Sequence, residues 1–376
     1  MIARDVDTGD ASDAATEAAR CIAHCDADRF FFVVEAIERP GLAAETRPVI
    51  VGHDPRESPR AIVTTANDAA RARGIGSGMS GRHALRLAPD ALFVPPRHEV
   101  YREYSARLMA ELGAASPLVQ QLSIDEAWLD WEQHGFDTRA AEALRARVLA
   151  QTGLSISVGV ATSRLVAKMA TEAAKPAGVR VVAPGDEAAF LAPQPIRMLY
   201  GFGPRSAERL TELGVVTIGD VTRWSRERLV QTFGRSGGVA LWEHARGIDR
   251  SALSAHREPK SYSAEHTFQR DTRDRAALWR VVRSQSEELA GRLGSDELRV
   301  REVAIKLRYA NFETITRQAR LVSPSGASEI LAQAAARLIR RHWDRSRAIR
   351  LIGVRASRFE PAADPIQLRL DLDDGE

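Results

Sequence analysis

The sequence predicts an α+β protein of several domains. Three patterns carry that expectation: short apolar runs bounded by turn residues, stretches with helical periodicity, and a last folded third that reads strand, helix, two strands, helix, strand. A chain of 376 residues has room for about two to four domains. Its 44% hydrophobic and 27% charged composition is that of an ordinary globular protein with ample core material. No run of 18 apolar residues occurs, so no transmembrane helix and no membrane partner are expected.

Taken in order, the first twenty residues carry Asp5, Asp7, Asp10, Asp13 and Glu17 without a hydrophobic signal core, and read as a disordered acidic tail. Residues 21–33 are expected to form a strand. Cys21 and Cys25, the only cysteines, fall inside it, lack the other ligands of a zinc site, and suggest a reducing cytosol. A small inserted domain over 34–91 includes a strand at Pro48–Gly52 and a helical stretch at Asn67–Arg73. Beyond it, Ala140–Gln151 reads as a helix, and Leu154–Val160, alternating small polar and apolar residues, as a strand. Around Tyr200-Gly201-Phe202-Gly203-Pro204 and Gly214–Gly219 the glycine-bounded helices look like a helix-hairpin-helix over 188–250, followed by a linker at 251–259. In residues 260–357 the strands are Lys260–Phe268, Val300–Tyr309, Glu313–Leu321 and Ile349–Ser357, and the helices Ala276–Leu293 and Ser328–Trp343.

Two acidic clusters carry the chemistry. Asp125 and Glu126 are adjacent within Leu122-Ser123-Ile124-Asp125-Glu126-Ala127. At about 4 Å two like charges repel by roughly 4 kcal/mol at an effective dielectric of 20, and a divalent cation reverses that sign. Adjacent residues cannot both face one way on a regular strand, so the pair belongs at a strand end or hairpin turn. The second cluster is Asp26-Ala27-Asp28-Arg29-Phe30-Phe31-Phe32, where strand alternation would put Asp26 and Asp28 on one face. Each cluster alone also fits a bland reading: solvated acids in one case, an Asp28 helix cap and an Asp26 turn in the other.

Together the clusters and their flanks resemble the Y-family DNA polymerases, and more closely their bacterial polymerase IV-like branch, over roughly residues 20 to 357 and the final tail. Asp26-Ala27-Asp28-Arg29-Phe30-Phe31, Thr65-Ala66-Asn67 with Arg71, Ser123-Ile124-Asp125-Glu126-Ala127, and Ala174-Lys175-Pro176 with Gly178 arrive in the family's order. The resemblance implies a right-hand polymerase: palm at 21–33 and 92–187, fingers at 34–91, a helix-hairpin-helix thumb at 188–250, and a βαββαβ little finger at 260–357. It implies two Mg²⁺ held by Asp26, Asp125, Glu126 and the Ala27 carbonyl, serving in-line transfer of a nucleotide from a dNTP to a primer 3′-hydroxyl. It further implies Lys175, Arg71 and Thr65 on the triphosphate, Phe31 as an aromatic steric gate against a 2′-hydroxyl with Phe30 in the core, and Asp28 in a supporting role. Gly201 and Gly203 in the thumb, and Lys306 and Arg308 on one face of the little-finger sheet opposite Ile305 and Leu307, would contact the DNA backbone.

The charge distribution agrees with a nucleic-acid partner: residues 255–357 hold 21 Lys and Arg against 12 Asp and Glu, while the last nineteen hold 2 against 6. A solvated arginine-rich helix face would give the same count. Three positions depart from the family pattern. Asp68 stands where a tyrosine usually touches the triphosphate, Arg29 stands nearby, and Phe32 is bulky where a small residue is usual. Arg29 and Asp68 are expected to compensate one another, as an ion pair or with Arg29 gripping phosphate. In the tail, Ile366-Gln367-Leu368-Arg369-Leu370-Asp371-Leu372 resembles a bacterial sliding-clamp-binding motif, with Gln367 supplying hydrogen bonds and Leu368, Leu370 and Leu372 the apolar anchors. The expectation is a monomeric cytoplasmic translesion polymerase acting on primer-template DNA. A noncatalytic accessory relative and a palm-domain nucleotide cyclase are the rivals.

Overall fold

The computed structural model describes residues 20–255 and 258–362; the acidic N-terminal segment and the clamp-like motif at 366–372 lie outside the described residues. The chain divides into two compact units, Met1–His256 and Arg257–Glu376. No described helix is long and apolar enough to cross a membrane.

The first unit is built on a five-stranded sheet in the order Val119–Gln121, Glu126–Asp130, Ile22–Ala27, Ile156–Ala161, Val179–Val181. Its central strand, Ile22–Ala27, runs antiparallel to both neighbours, with Asp26 opposite Glu126 on one side and Ser157 on the other. Ile156–Ala161 is buried along its whole length. The sequence alternation there does not mark a solvent face, because helices cover both sides of the sheet and Ser157 faces the interior. Gly159 is what lets one of them approach: a Cβ at this position would meet the Ala167 carbonyl at 2.2 Å and the Thr171 nitrogen at 2.3 Å. Only a glycine allows the helix Arg164–Ala174 to lie this close, and that closeness brings the helix over the central strand.

The strand expected over 21–33 ends at Ala27. Arg29 adopts a left-handed backbone (φ 50°, ψ 39°), and its carbonyl accepts from the Phe32 and Val33 amides, which starts the helix Phe30–Glu38. All three phenylalanines are therefore helical. The period of 3.6 buries Phe30 and Val34 and leaves Phe31 and Phe32 half-buried. The aromatic run misled the strand reading because aromatics favour strands in isolation, whereas here tertiary packing decides. Asp28, beyond the strand end, shares no strand face with Asp26, and it does not cap the helix either.

A separate three-stranded sheet, ordered Thr65–Ala66, Val49–Val51, Leu92–Val94, carries the short helix Asp68–Ala72. Asn67 caps that helix by accepting from the Ala70 amide at 3.0 Å, and the same carbonyl oxygen accepts from the Val49 amide. Past residue 187 the first unit is helical. Pro204–Glu212, Ile218–Val221 and Arg226–His244 share one apolar core with Trp128, Leu165 and Met169, and the long helix breaks at Gly234.

The second unit has the order strand, helix, two strands, helix, strand. Its antiparallel sheet runs Thr314–Ser325, Leu298–Tyr309, Ile349–Pro361, Ser261–Thr272, with Arg275–Ser295 and Ser328–His342 packed into the core it shares. The last strand reaches Pro361, so residues 358–361, assigned to the tail from sequence, are part of this sheet. Pairing with Leu298–Val300 holds them, and Phe359 packs against the core of the unit.

One buried carboxylate braces the first unit. Glu35 is fully enclosed; it receives Arg97 Nε at 3.1 Å and Nη2 at 2.8 Å, and the Tyr101 hydroxyl at 2.7 Å. Without Glu35 the Tyr101 hydroxyl is left buried and the half-exposed guanidinium loses its fork partner. Glu35→Ala should cost about 2–3 kcal/mol, read as a lower urea midpoint; a loss below about 1 kcal/mol would show the network to be dispensable.

Candidate active site

The hairpin between Val119–Gln121 and Glu126–Asp130 places Asp125 at its turn and Glu126 at the first position of the returning strand. The Ala27 amide donates to the Asp125 carbonyl at 2.9 Å, which fastens the hairpin to the end of the central strand. Asp26, Asp125 and Glu126 thus meet at one edge of the sheet, and each is partly buried. Asp125 accepts from the Ser123 hydroxyl within the turn.

Burial pushes the Asp26 carboxyl up to about 7, against the pull of Lys175 and with the help of Asp125. Lys175 Nζ stands 3.0 Å from Asp26 Oδ1 and 2.7 Å from Glu172 Oε1. For Glu126, burial works in the same upward direction, but hydrogen bonds from His24 and Lys168 outweigh it and hold the carboxyl at about 2. His24 is itself buried, and desolvation pulls its pKa down to about 4. At neutral pH the imidazole is uncharged, so Lys168 is the cation that keeps Glu126 ionised. Both carboxylates therefore meet an ammonium from the same helix and its C-terminal cap, Lys168 and Lys175.

Asp28 serves this arrangement from the side. Its oxygens accept from Ser157 at 2.8 Å, Ser155 at 3.0 Å and the Ala177 amide at 2.9 Å. The carboxylate ties the Lys175-Pro176-Ala177 turn to the end of the central strand, which fixes where Lys175 starts.

The small sheet contributes Thr65 and Arg71. Arg71 donates through Nη2 to Thr65 Oγ1 at 3.2 Å and through Nε to the Ala66 carbonyl at 3.0 Å. Arg29 Nη1 lies 2.6 Å from Asp68 Oδ2, an ion pair joining the start of the Phe30–Glu38 helix to the Asp68–Ala72 helix. Phe31 packs edge-on against Tyr101, with ring centroids 4.9 Å apart, and Glu35 holds the hydroxyl of that same tyrosine. Phe30 is core, 2% exposed. Phe32 packs against the same core from its margin.

The remaining sequence candidates are dispersed. Gly201 has φ +91° before Gly203, which caps Pro204–Glu212. In the second unit Lys306 and Arg308 share a sheet face, with Ile305, Leu307 and Tyr309 on the buried side. Lys306 is paired with Glu265 at 2.9 and 3.0 Å, and Arg308 donates to Thr314 Oγ1 at 2.9 Å.

Sequence reading missed His24, Lys168 and Thr171. Thr171 Oγ1 lies 3.0 Å from His24 Nδ1, and Lys168 Nζ lies 3.5 Å from His24 Nε2. A histidine within an apolar strand two residues before Asp26 was the available signal; its partners came from a helix more than 140 residues away.

Among the described residues, no three acidic, histidine or cysteine side chains are drawn close enough together to enclose an ion. The donor set nonetheless suits a hard divalent cation: carboxylate oxygens from two adjacent strands, partly desolvated and mutually repulsive, already drawing ammonium groups as counter-charge.

The chain matches the impB/mucB/samB family over residues 25–172 and that family's C-terminal domain over 259–370, with a DNA polymerase-iota thumb domain matched at 197–249. It is 39% identical to DNA polymerase IV of Halorhodospira halophila, covering 91% of this chain and 96% of that one. With DNA polymerase IV of Methanoculleus marisnigri it shares 37% identity over 92% and 96%. Among solved structures, a Y-family DNA polymerase chimera superposes with a TM-score of 0.79 at 24% identity, covering 90% of this chain and 98% of the chimera. DinB from Sulfolobus solfataricus superposes at 0.62, with 24% identity over the same shares. The right-hand polymerase fold expected from the motifs is thereby established, and the chain belongs to the impB/mucB/samB family, the Y family of DNA polymerases.

Proposed function

We propose that this chain is a template-directed DNA polymerase of low processivity that performs translesion synthesis in the cytoplasm as a monomer. The observation that carries the reading is the register of the central strands, which sets Asp26 opposite Glu126 with Asp125 at the adjoining turn. Asp26, Asp125, Glu126 and the Ala27 carbonyl are assigned to two Mg²⁺. Bound there, the metal would lower the pKa of the primer 3′-hydroxyl and offset charge on the departing pyrophosphate.

The chain's own residues supply position and charge. Lys175, now on Asp26, can turn to the terminal phosphates of a dNTP when a cation takes over the carboxylate. Arg71 presents a planar fork whose present partners, Thr65 Oγ1 and the Ala66 carbonyl, leave donors for phosphate oxygens, and Thr65 offers its hydroxyl to the same group. Phe31, braced by Tyr101, is assigned as the wall beneath the sugar. Arg29 is assigned to the triphosphate as well, with Asp68 holding it ready. In the thumb, Gly201 and Gly203 would admit the DNA backbone, and Lys306 and Arg308 would follow it once Lys306 exchanges Glu265 for phosphate. Residues 366–372 are proposed to bind a sliding clamp.

Primer extension with Mg²⁺ tests the reading. The full chain should extend a primed template, and Asp125→Ala should reduce the rate by at least about a thousandfold. Absence of extension by the unaltered chain would favour the accessory or cyclase alternative. In the same assay a loaded clamp should lengthen the products of the full chain and not of one ending at 365.

Phe31→Ala should raise ribonucleotide incorporation by about tenfold or more relative to deoxynucleotides. Unchanged sugar discrimination would remove the gate assignment.

Arg29→Ala and Asp68→Ala should be non-additive in dNTP affinity. A double-mutant cycle giving a coupling under about 0.5 kcal/mol would show the two residues act independently.

Asp26 supplies a pH dependence. Its folded-state pKa of about 7 exceeds the ordinary 3.8, so the fold holds a proton that unfolding releases, and this contribution to stability declines as pH rises from about 4 to 7. His24, neutral down to about 4, acts oppositely between there and 6.5. Above pH 6.5 Asp26 acts without that opposition, so the metal-free protein should melt lower at pH 8 than at 6.5. Because a cation must displace the Asp26 proton, Mg²⁺ affinity by calorimetry should be about tenfold weaker at pH 6 than at pH 8. An affinity independent of pH would exclude Asp26 as a ligand.

A further inference from the structure

Lys168 lies against Glu126 and makes an arrangement that the proposed chemistry does not use. Its side chain is only 14% exposed. Beside its contact with Glu126 Oε2, its ammonium lies 5.4 Å from the centroid of the Tyr200 ring and 3.5 Å from His24 Nε2.

Hydrogen bonding fixes the position of His24. Thr171 Oγ1 lies 2.9 Å from the His24 carbonyl and 3.0 Å from the Ala167 carbonyl. The hydroxyl both donates and accepts, so it holds His24 Nδ1 at 3.0 Å in either tautomer, while Nε2 faces Glu126 Oε2 at 3.5 Å and Lys168 Nζ at 3.5 Å. Trp128, edge-on to the imidazole at 5.5 Å, closes the remaining side of the ring.

Lys168 and Lys175 therefore differ. Lys175 is 29% exposed, sits at the helix C-cap, and can leave Asp26 for phosphate. Lys168 lies a full turn inside the helix, with imidazole and aromatic partners that would retain it after any change at Glu126.

We propose that Lys168, held in place by His24 and Tyr200, is a resident counter-charge on Glu126 that weakens cation binding to the empty site, so that metal binds well only together with the nucleotide's phosphates. This deepens the proposed two-metal reading and rests on it. Lys168 is a positioning residue that acts through Glu126. The arrangement would keep the site from filling with divalent cation between turnovers, since the triphosphate brings the negative charge that Glu126 alone no longer offers.

The test is Mn²⁺ binding to the full chain without nucleotide, followed by electron paramagnetic resonance. Lys168→Met should bind Mn²⁺ at least about tenfold more tightly than the unaltered chain, and Lys168→Gln, which keeps a hydrogen-bond donor but no charge, should do the same. Lys168→Arg should stay near the unaltered affinity. Adding a non-hydrolysable dNTP should narrow the difference between the Met variant and the unaltered chain. A merely structural role predicts weaker binding in every variant, and equal or weaker binding by both neutral variants would overturn the proposal. Asp26→Asn separates the two levels of the argument. If neither the unaltered chain nor Asp26→Asn binds Mn²⁺ even with nucleotide, the two-metal reading fails. If the unaltered chain binds it with nucleotide and the neutral variants show no gain, only the role of Lys168 fails.

Discussion

The first unit depends on the gathering of partly buried carboxylates, Asp26 opposite Glu126 across neighbouring strands with Asp125 adjoining. Nothing in sheet packing requires this. Carboxylates partly withdrawn from water cost several kcal/mol each unless a cation compensates, and in this chain Lys168 meets Glu126 and Lys175 meets Asp26. Lys168 lies within Arg164–Ala174 and Lys175 is its C-cap with extended backbone, so the helix and the turn that follows it deliver the two ammonium groups. The helix can bring them within reach because Gly159 has no side chain to hold it away from the sheet. A single glycine in the strand beside Asp26 thus sets how near the counter-charges come.

The supporting shell has the same character. Asp28 uses three donors to fix the turn that bears Lys175. Glu35 uses Arg97 and Tyr101 to hold the aromatic wall behind Phe31. Thr171 holds the ring of His24, which in turn faces Lys168. In each case a buried polar group is satisfied by partners distant in sequence, and its satisfaction positions a neighbour that faces the open site. Such networks are sensitive to single substitutions, since removing one partner leaves the other desolvated and unpaired.

Much of this was legible from the chain. Asp125-Glu126 had to lie at a strand end because neighbours on a strand face opposite ways, and the hairpin places them there. The order of the second unit followed from periodicity, because its strands and helices are long and each has one apolar face. The strand drawn through Phe31 failed because one residue, Arg29, takes a left-handed backbone that no propensity signals, and it converts a strand into a helix within two residues. The full burial of Ile156–Ala161 was hidden because Ser157 and Gly159 look polar or small, while their roles are to bind Asp28 and to admit a helix. His24 and Lys168 were illegible for another reason: each is unremarkable alone, and only the fold brings them to the same carboxylate.

The ion pair between Arg29 and Asp68 shows how a departure from the family pattern can be absorbed. Asp68 brings a negative charge to a face where a triphosphate is proposed to sit, and by itself it would repel that ligand. Its partner begins the helix that carries Phe31, and the strained φ of 50° aims the chain so that the guanidinium can reach across to the small sheet. Left-handed backbone at a non-glycine residue costs of order 1 kcal/mol, and an exposed ion pair returns a similar amount or less. The pair is thus close to neutral for stability. Its consequence is electrostatic: the charges cancel while paired, and a phosphate that drew Arg29 away would leave Asp68, already largely exposed, without its counter-charge. Under the proposed function, nucleotide binding through Arg29 would be graded by the strength of that pair, as the proposed cation binding at Glu126 would be by Lys168.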